Sequence, residues 1–177
     1  MKLRKLNAAL SLVTTVLLLA HAITVAVWMF SRGKIIPWGG HTLLKVLIGV
    51  TIAHAVVSLI LMVIAIKDKK EKKGRMYPKL NVPTMVQRIS GVLLIVFTWL
   101  HVAGAVGVIT PPQVIHAIIP PLFFLMVMSH IAVSGSKAFI TLGIGNAGFI
   151  KCADICIKVI CAITVIADII GFYLHVC

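Results

Sequence analysis

Acidic side chains are nearly missing from this chain. Its 177 residues include four, Asp68, Glu71, Asp154 and Asp168. Charge of either sign is scarce as well. Asp, Glu, Lys and Arg together make 12% of the sequence, where a soluble domain carries about 25%. With 60% hydrophobic residues and a mean hydropathy of +1.12, that scarcity excludes an ordinary soluble core. There is no internal repeat, and no low-complexity tract beyond one lysine-rich segment. Nor does the first apolar run read as a secretory signal. It is longer than a typical apolar signal core of ~7–15 residues, and no small-residue cleavage site follows it.

Long apolar runs fill most of the chain. A spanning helix needs ~20 mostly apolar residues, and five such runs lie at about 7–30, 43–66, 86–108, 114–136 and 150–175. They predict an all-α membrane protein, a single domain over residues 1–177 built as an up-and-down bundle of five transmembrane helices. Pro37, Trp38, Gly39 and Gly40 break the chain between the first two runs. Gly74, Pro78 and Pro83 mark the second break, Pro111 and Pro112 the third, and Gly135, Gly143, Gly145 and Gly148 the fourth. Pro120 and Pro121 fall inside the fourth run and are expected to kink it, because each removes a backbone donor and crowds the preceding turn. Little chain remains for a soluble catalytic domain, so chemistry on a water-soluble substrate would belong to a partner.

The net charge of +13 sits in the loops, which argues for membrane topology and against a nucleic-acid partner. Seven Lys and Arg residues crowd Lys67–Lys79, and Lys2, Arg4 and Lys5 precede the first run. The next loop holds only Arg32 and Lys34, and the ITPPQ loop holds none. The positive-inside bias then places the N-terminus and the basic segment in the cytoplasm and the C-terminus outside. That segment also suits anionic lipid or an acidic partner surface.

Four of the five runs contain one internal histidine each: His21, His54, His101 and His130. Imidazole is costly in hydrocarbon, so an intramembrane histidine is a functional candidate by default. Neutral imidazole is also a common axial ligand of haem iron. Four of them on four successive helices predict two axial pairs, hence a cytochrome carrying two haem b groups between the first four helices. No cysteine lies in C-x-x-C-H, so covalent c-type attachment is not expected. Helical rise puts His21 roughly 21 Å and His101 roughly 22 Å from the inner ends of their spans, with His54 at roughly 18 Å and His130 at roughly 9 Å. Spans one and three are diagonal in a simple four-helix arrangement, as are two and four. The expected outer haem is held by His21 and His101, and the inner haem by His54 and His130. The second match improves if span four continues past Ser136 towards Ile140.

The surroundings add weaker signals. Ala20, Ala22, Ala53, Ala55, Ala103, Gly104 and Ser129 flank the histidines, and short side chains leave room for a macrocycle or for close helix packing. Thr24, Thr51, Ser90 and Thr98 are candidates to orient imidazoles or meet propionates. Arg88, Lys137, Arg32 and Lys45 are candidates to neutralise propionates. The competing reading of any one histidine is hydrogen-bonded packing, and of any one of these bases an interfacial snorkelling side chain. Cys152 and Cys156, one turn apart, read as packing residues.

The segment Gln87-Arg88-Ile89-Ser90-Gly91 is followed, ten residues on, by His101 through an apolar run containing Phe97. It resembles the Gln-x-x-Ser/Thr-Gly segment of the cytochrome b subunits of succinate dehydrogenase and fumarate reductase, in particular their single-chain, five-helix, dihaem branch. The stretch from His130 to Gly135 and Lys137 is similar to a weaker pattern of the same family. The five-span layout covers nearly the whole chain, and the specific motif about fifteen residues. The resemblance implies that His21, His54, His101 and His130 are the axial ligands of the two haem irons; Ser90, Arg88 and Lys137 remain the candidates to stand near the cofactors by position and chemistry. It implies a membrane anchor, non-catalytic alone, for an iron–sulfur subunit and an FAD flavoprotein on the cytoplasmic side of a prokaryotic inner membrane. Electrons would pass between those subunits and a quinone, menaquinone in most of that branch. The chain departs from the pattern in lacking an acid near the outer end of the first span, where some members place a quinol proton acceptor.

Quinol oxidation needs a proton acceptor near the outer haem. The candidates here are Asp168, in the outer half of span five, and His116, with His41 and His175 also near the outer edge. Asp154 and Lys158 are spaced as a structural i,i+4 pair. Trp28, Trp38 and Trp99 fall in the outer half, as in an aromatic belt. Two other readings stay open: an anchor of a hydrogenase or formate dehydrogenase, and a haem-free transporter using the histidines as a proton relay.

Overall fold

The structure is a computed structural model that describes residues 2–34, 40–71, 82–105, 107–108 and 113–176. Five helices account for nearly all of them: α1 (Lys2–Phe30), α2 (Gly40–Glu71), α3 (Val82–Ala105), α4 (Gln113–Leu142) and α5 (Ala147–Val176). Strands are absent among the described residues. At 24 to 32 residues each, the helices are roughly 36–48 Å long, more than the ~30 Å of a hydrocarbon core. All five are long and apolar enough to cross a membrane.

Polarity is distributed inside out. Val16, Ile52, Trp99, Ile140 and Ile163 are among many large apolar side chains left exposed, whereas Thr14, Ser90, Ser134, Ser136, Thr164 and Asp168 are buried. In water that arrangement would expose apolar surface at great cost. In lipid it places each polar group where protein can meet it. The apolar centre is a cluster of Phe123, Val127, Met128, Ile131 and Cys161.

Cross-helix bonds set the directions. Ser58 of α2 donates to Asn7 Oδ1 of α1 at 2.8 Å. Lys137 of α4 donates to Gln87 Oε1 of α3 at 2.9 Å, and Ser136 of α4 donates to Asp154 of α5 at 2.7 Å. The helices therefore alternate, and α1 runs parallel to α3 and α5. Packing joins α1 to α2, α4 and α5, and α4 to α3 and α5. The pairs α1/α3 and α2/α4 lie diagonally without extensive contact among the described residues, and the α2/α3 side of the ring is also loosely closed. Alternation gathers Arg4, Lys5, Lys67, Arg88, Lys137, Lys151 and Lys158 at one end, called here the basic end, opposite Arg32, Lys34 and Lys45.

Several boundaries differ from the hydropathy pattern. The third helix ends at Ala105, short of residue 108, because Gly107 takes φ 72° and closes the helix with bonds from Val108 N to Ala103 O and from Gly107 N to Gly104 O. The second runs on to Glu71, since the hydropathy signal stops at the membrane interface and the helix does not. Span four passes the expected end at residue 136. It stops where Gly143, at φ 74°, permits bonds from Ile144 N to Phe139 O and from Gly143 N to Ile140 O. Gly135 therefore does not mark a break. It is buried within α4, and a Cβ there would come 3.0 Å from Ile157 Cδ1 of α5, so it serves close helix approach. Gly148 likewise lies inside α5, whose first turn is capped by Asn146 Oδ1 accepting from Phe149 N at 2.9 Å. The fourth helix is continuous through Pro120 and Pro121.

Candidate histidine sites between the helices

The bundle brings His21 of α1 and His101 of α3 to one cavity. Its volume is about 50 Å³, and its walls include Leu18, Ala22, Phe123 and Met128. The His101 ring stacks on Phe123, with centroids 4.6 Å apart and planes 14° from parallel. Stacking uses the ring face, whereas a metal binds in the ring plane through a nitrogen lone pair, so the contact does not compete with ligation. Two imidazoles 80 positions apart in sequence thus face one apolar space across a diagonal of the bundle. Neutral imidazole is the donor type that holds haem iron. The space would hold little more than a water molecule, so a macrocycle would enter only if the lining side chains moved apart. The Thr24 hydroxyl donates to the His21 main-chain carbonyl at 2.8 Å, a bond within its own helix.

His130 of α4 lies nearer the basic end. Its Nδ1 is 2.8 Å from Ser90 Oγ of α3, and the Ser90 hydroxyl is also 3.2 Å from Gln87 O. With the Ser90 proton directed at Gln87 O, Ser90 would accept from an Nδ1 proton, the tautomer that leaves the Nε2 lone pair to bind; with it directed at an Nδ1 lone pair the roles reverse. Gly91 sits against the same ring; a Cβ there would be 3.3 Å from His130 Cε1. The motif Gln87–Gly91, read in sequence as leading to His101, is therefore built around His130 of the neighbouring helix. Lys137 closes the group by its bond to Gln87, while Arg88 is exposed.

His54 of α2 is the fourth ring. It lies beside the Asn7 main chain and within electrostatic reach of His130. Its Nδ1 is buried without a hydrogen-bond partner. The level of Asn7 is deeper than the depth expected for His54, because α1 and α2 are staggered and α2 overhangs the start of α1 by several turns. The His21–His101 cavity and the His54 and His130 rings consequently occupy separate levels. From Asn7 to His21 the rise along α1 is roughly 21 Å, and from Ser90 to His101 along α3 roughly 16 Å. No group of three or more His, Cys, Asp or Glu able to hold a bare metal ion occurs among the described residues.

Of the other candidates, Asp168 is fully buried, with neither carboxyl oxygen hydrogen-bonded. Thr14 and Thr51 also have buried, unpartnered hydroxyls, a feature that the sequence did not single out for Thr14. Asp154 is accounted for by Ser136 and by Lys158 at 2.5 Å, as its i,i+4 spacing indicated. Arg32 and Lys45 are exposed, and Trp99 lies on the outer face of the bundle. The side chains of His116, His41, His175 and Trp38 lie outside the described residues. Comparison of the chain with protein-family models, with curated proteins and with solved structures finds no match.

Proposed function

We propose that this chain is a dihaem cytochrome b subunit, a membrane anchor that carries electrons between a quinone and the iron–sulfur and flavoprotein subunits of a succinate dehydrogenase or fumarate reductase. The observation that carries the reading is the pairing: His21 with His101 around one cavity, and His130 within reach of His54 at a separate level. Haem iron, when bound, supplies reversible one-electron transfer. The protein's own part is positional. His21 and His101 would hold the group remote from the basic end, and His54 and His130 the group near it. Ser90 would hold the His130 ring by a hydrogen bond to Nδ1, and Gly91 keeps α3 from crowding that ring.

Charge organises the two ends. Arg88 and Lys137 stand at the basic end beside the inner pair, where anionic propionates would emerge. The remaining bases of that end offer an electropositive face to the partner subunits. The same bias orients the chain with this face in the cytoplasm of a prokaryotic cell. Menaquinone, implied by the family resemblance, would react at the opposite end, near the His21–His101 level.

Anaerobic addition of a short-chain menaquinol to the purified chain tests the conduit. The expected outcome is growth of reduced b-type bands. Haems that dithionite reduces but no quinol reaches would defeat the assignment.

A further inference from the structure

Three buried polar atoms without a hydrogen-bond partner lie on one pair of neighbouring helices: Thr14 Oγ1 of α1, and Thr51 Oγ1 and His54 Nδ1 of α2. The bond from Ser58 to Asn7 Oδ1, at 2.8 Å, fixes how these antiparallel helices face each other. Two helical turns are roughly seven residues and return to nearly the same face. Two turns on from Asn7 along α1 stands Thr14, and two turns back from Ser58 along α2 stands Thr51. The register that joins Asn7 to Ser58 therefore sets Thr14 opposite Thr51. His54 lies between Thr51 and Ser58 on the same face of α2. The next turn is apolar, with Leu18 on α1 and Leu47 on α2.

A threonine inside a helix commonly bonds a carbonyl of the preceding turn. Thr24 does so with His21 O, and Thr141 with Lys137 O. Thr14 and Thr51 do not, and Thr14 is only 5% exposed. Lipid offers such atoms nothing to bond. A buried water typically makes about three hydrogen bonds to buried polar groups that protein leaves unmet. With two protons and two lone pairs, it can meet a hydroxyl and an imidazole nitrogen of either tautomer.

We propose that the interface of α1 and α2 binds one internal water, held by Thr14, Thr51 and His54 Nδ1, and that this water fixes the plane of the His54 ring. Thr14 is then a positioning residue for a histidine on another helix. The water site itself needs no cofactor. Its consequence for haem rests on the function proposed above: a ligating imidazole ordinarily anchors its second nitrogen on a carbonyl, a carboxylate or a water, and here the anchor is the water.

The test images the full-length chain in its membrane complex by cryo-electron microscopy, at a resolution that shows ordered water. Density for one water is expected about 3 Å from each of the three atoms. Thr14→Val keeps the branched shape and replaces the hydroxyl by a methyl; it should lose that density, and Thr14→Ser should keep it. In nitrogen NMR of histidine-labelled chain, the His54 Nδ1 signal, assigned by its loss in His54→Ala, should move in Thr14→Val and return in Thr14→Ser. The haem of the His54 level should be held on the order of 10-fold more weakly in Thr14→Val, with the His21–His101 level unchanged. A dry interface in the unmodified chain overturns the proposal, and so does a His54 signal indifferent to Thr14→Val. If Thr14→Val fails to fold, the density in the unmodified chain decides. Water at this place in a colourless chain upholds the site and defeats the redox function. A dry interface in a chain carrying both haems defeats this proposal alone.

Discussion

Replacing His21 or His101 by alanine should remove one and the same haem, about half of the b-type absorbance, and leave the other in place. Replacing His54 or His130 should remove the second. The reason is geometric: His21 and His101 share a cavity, while His130 sits several turns away in the company of Ser90, Gly91 and His54. Alanine keeps the helix and removes the donor nitrogen, so the loss should be all-or-none at one level and close to nothing at the other. Redox titration followed in the visible region distinguishes the two haems. Loss of the same haem from His21→Ala and His54→Ala would show that the pairing is wrong.

The second large effect concerns Gly91. A Cβ at this position already comes 3.3 Å from His130 Cε1, tighter than ordinary van der Waals contact. Gly91→Leu adds branched carbons beyond that point and must push the ring aside or part α3 from α4. It should abolish the haem at the His54–His130 level and spare the other. Ser90→Ala is the graded comparison. It removes the hydrogen-bond partner of His130 Nδ1 without adding bulk, an outer-shell change of a kind that costs roughly 10–100-fold in affinity. Haem transfer to an apoprotein acceptor measures both variants. Normal retention of both haems by Gly91→Leu would remove the inner site from its proposed place.

These contrasts show what was legible before the fold. The five helices could be read from hydropathy because lipid demands an apolar length and little else. Their ends could not, since Gly107 and Gly143 stop helices through left-handed backbone, and Lys67–Glu71 continues one beyond the hydrocarbon. Gly135 looked like punctuation, although burial against Ile157 makes it a packing residue. The four histidines stood out because each is expensive in an apolar run. The residues that touch them did not, because contact across helices depends on rotation and stagger, which a linear pattern leaves open. Ser90 was therefore grouped with His101, eleven positions ahead on its own helix, and not with His130 across the interface. Asp168 was visible as a costly acid; its lack of any partner became visible only in the packed bundle.

The most direct measurement is the haem content of the full-length chain, by pyridine haemochrome and a reduced-minus-oxidised spectrum, after expression in cells that make ample haem. Two non-covalent b-type haems per polypeptide are expected. A folded, full-length protein that comes out colourless contradicts the account at its centre.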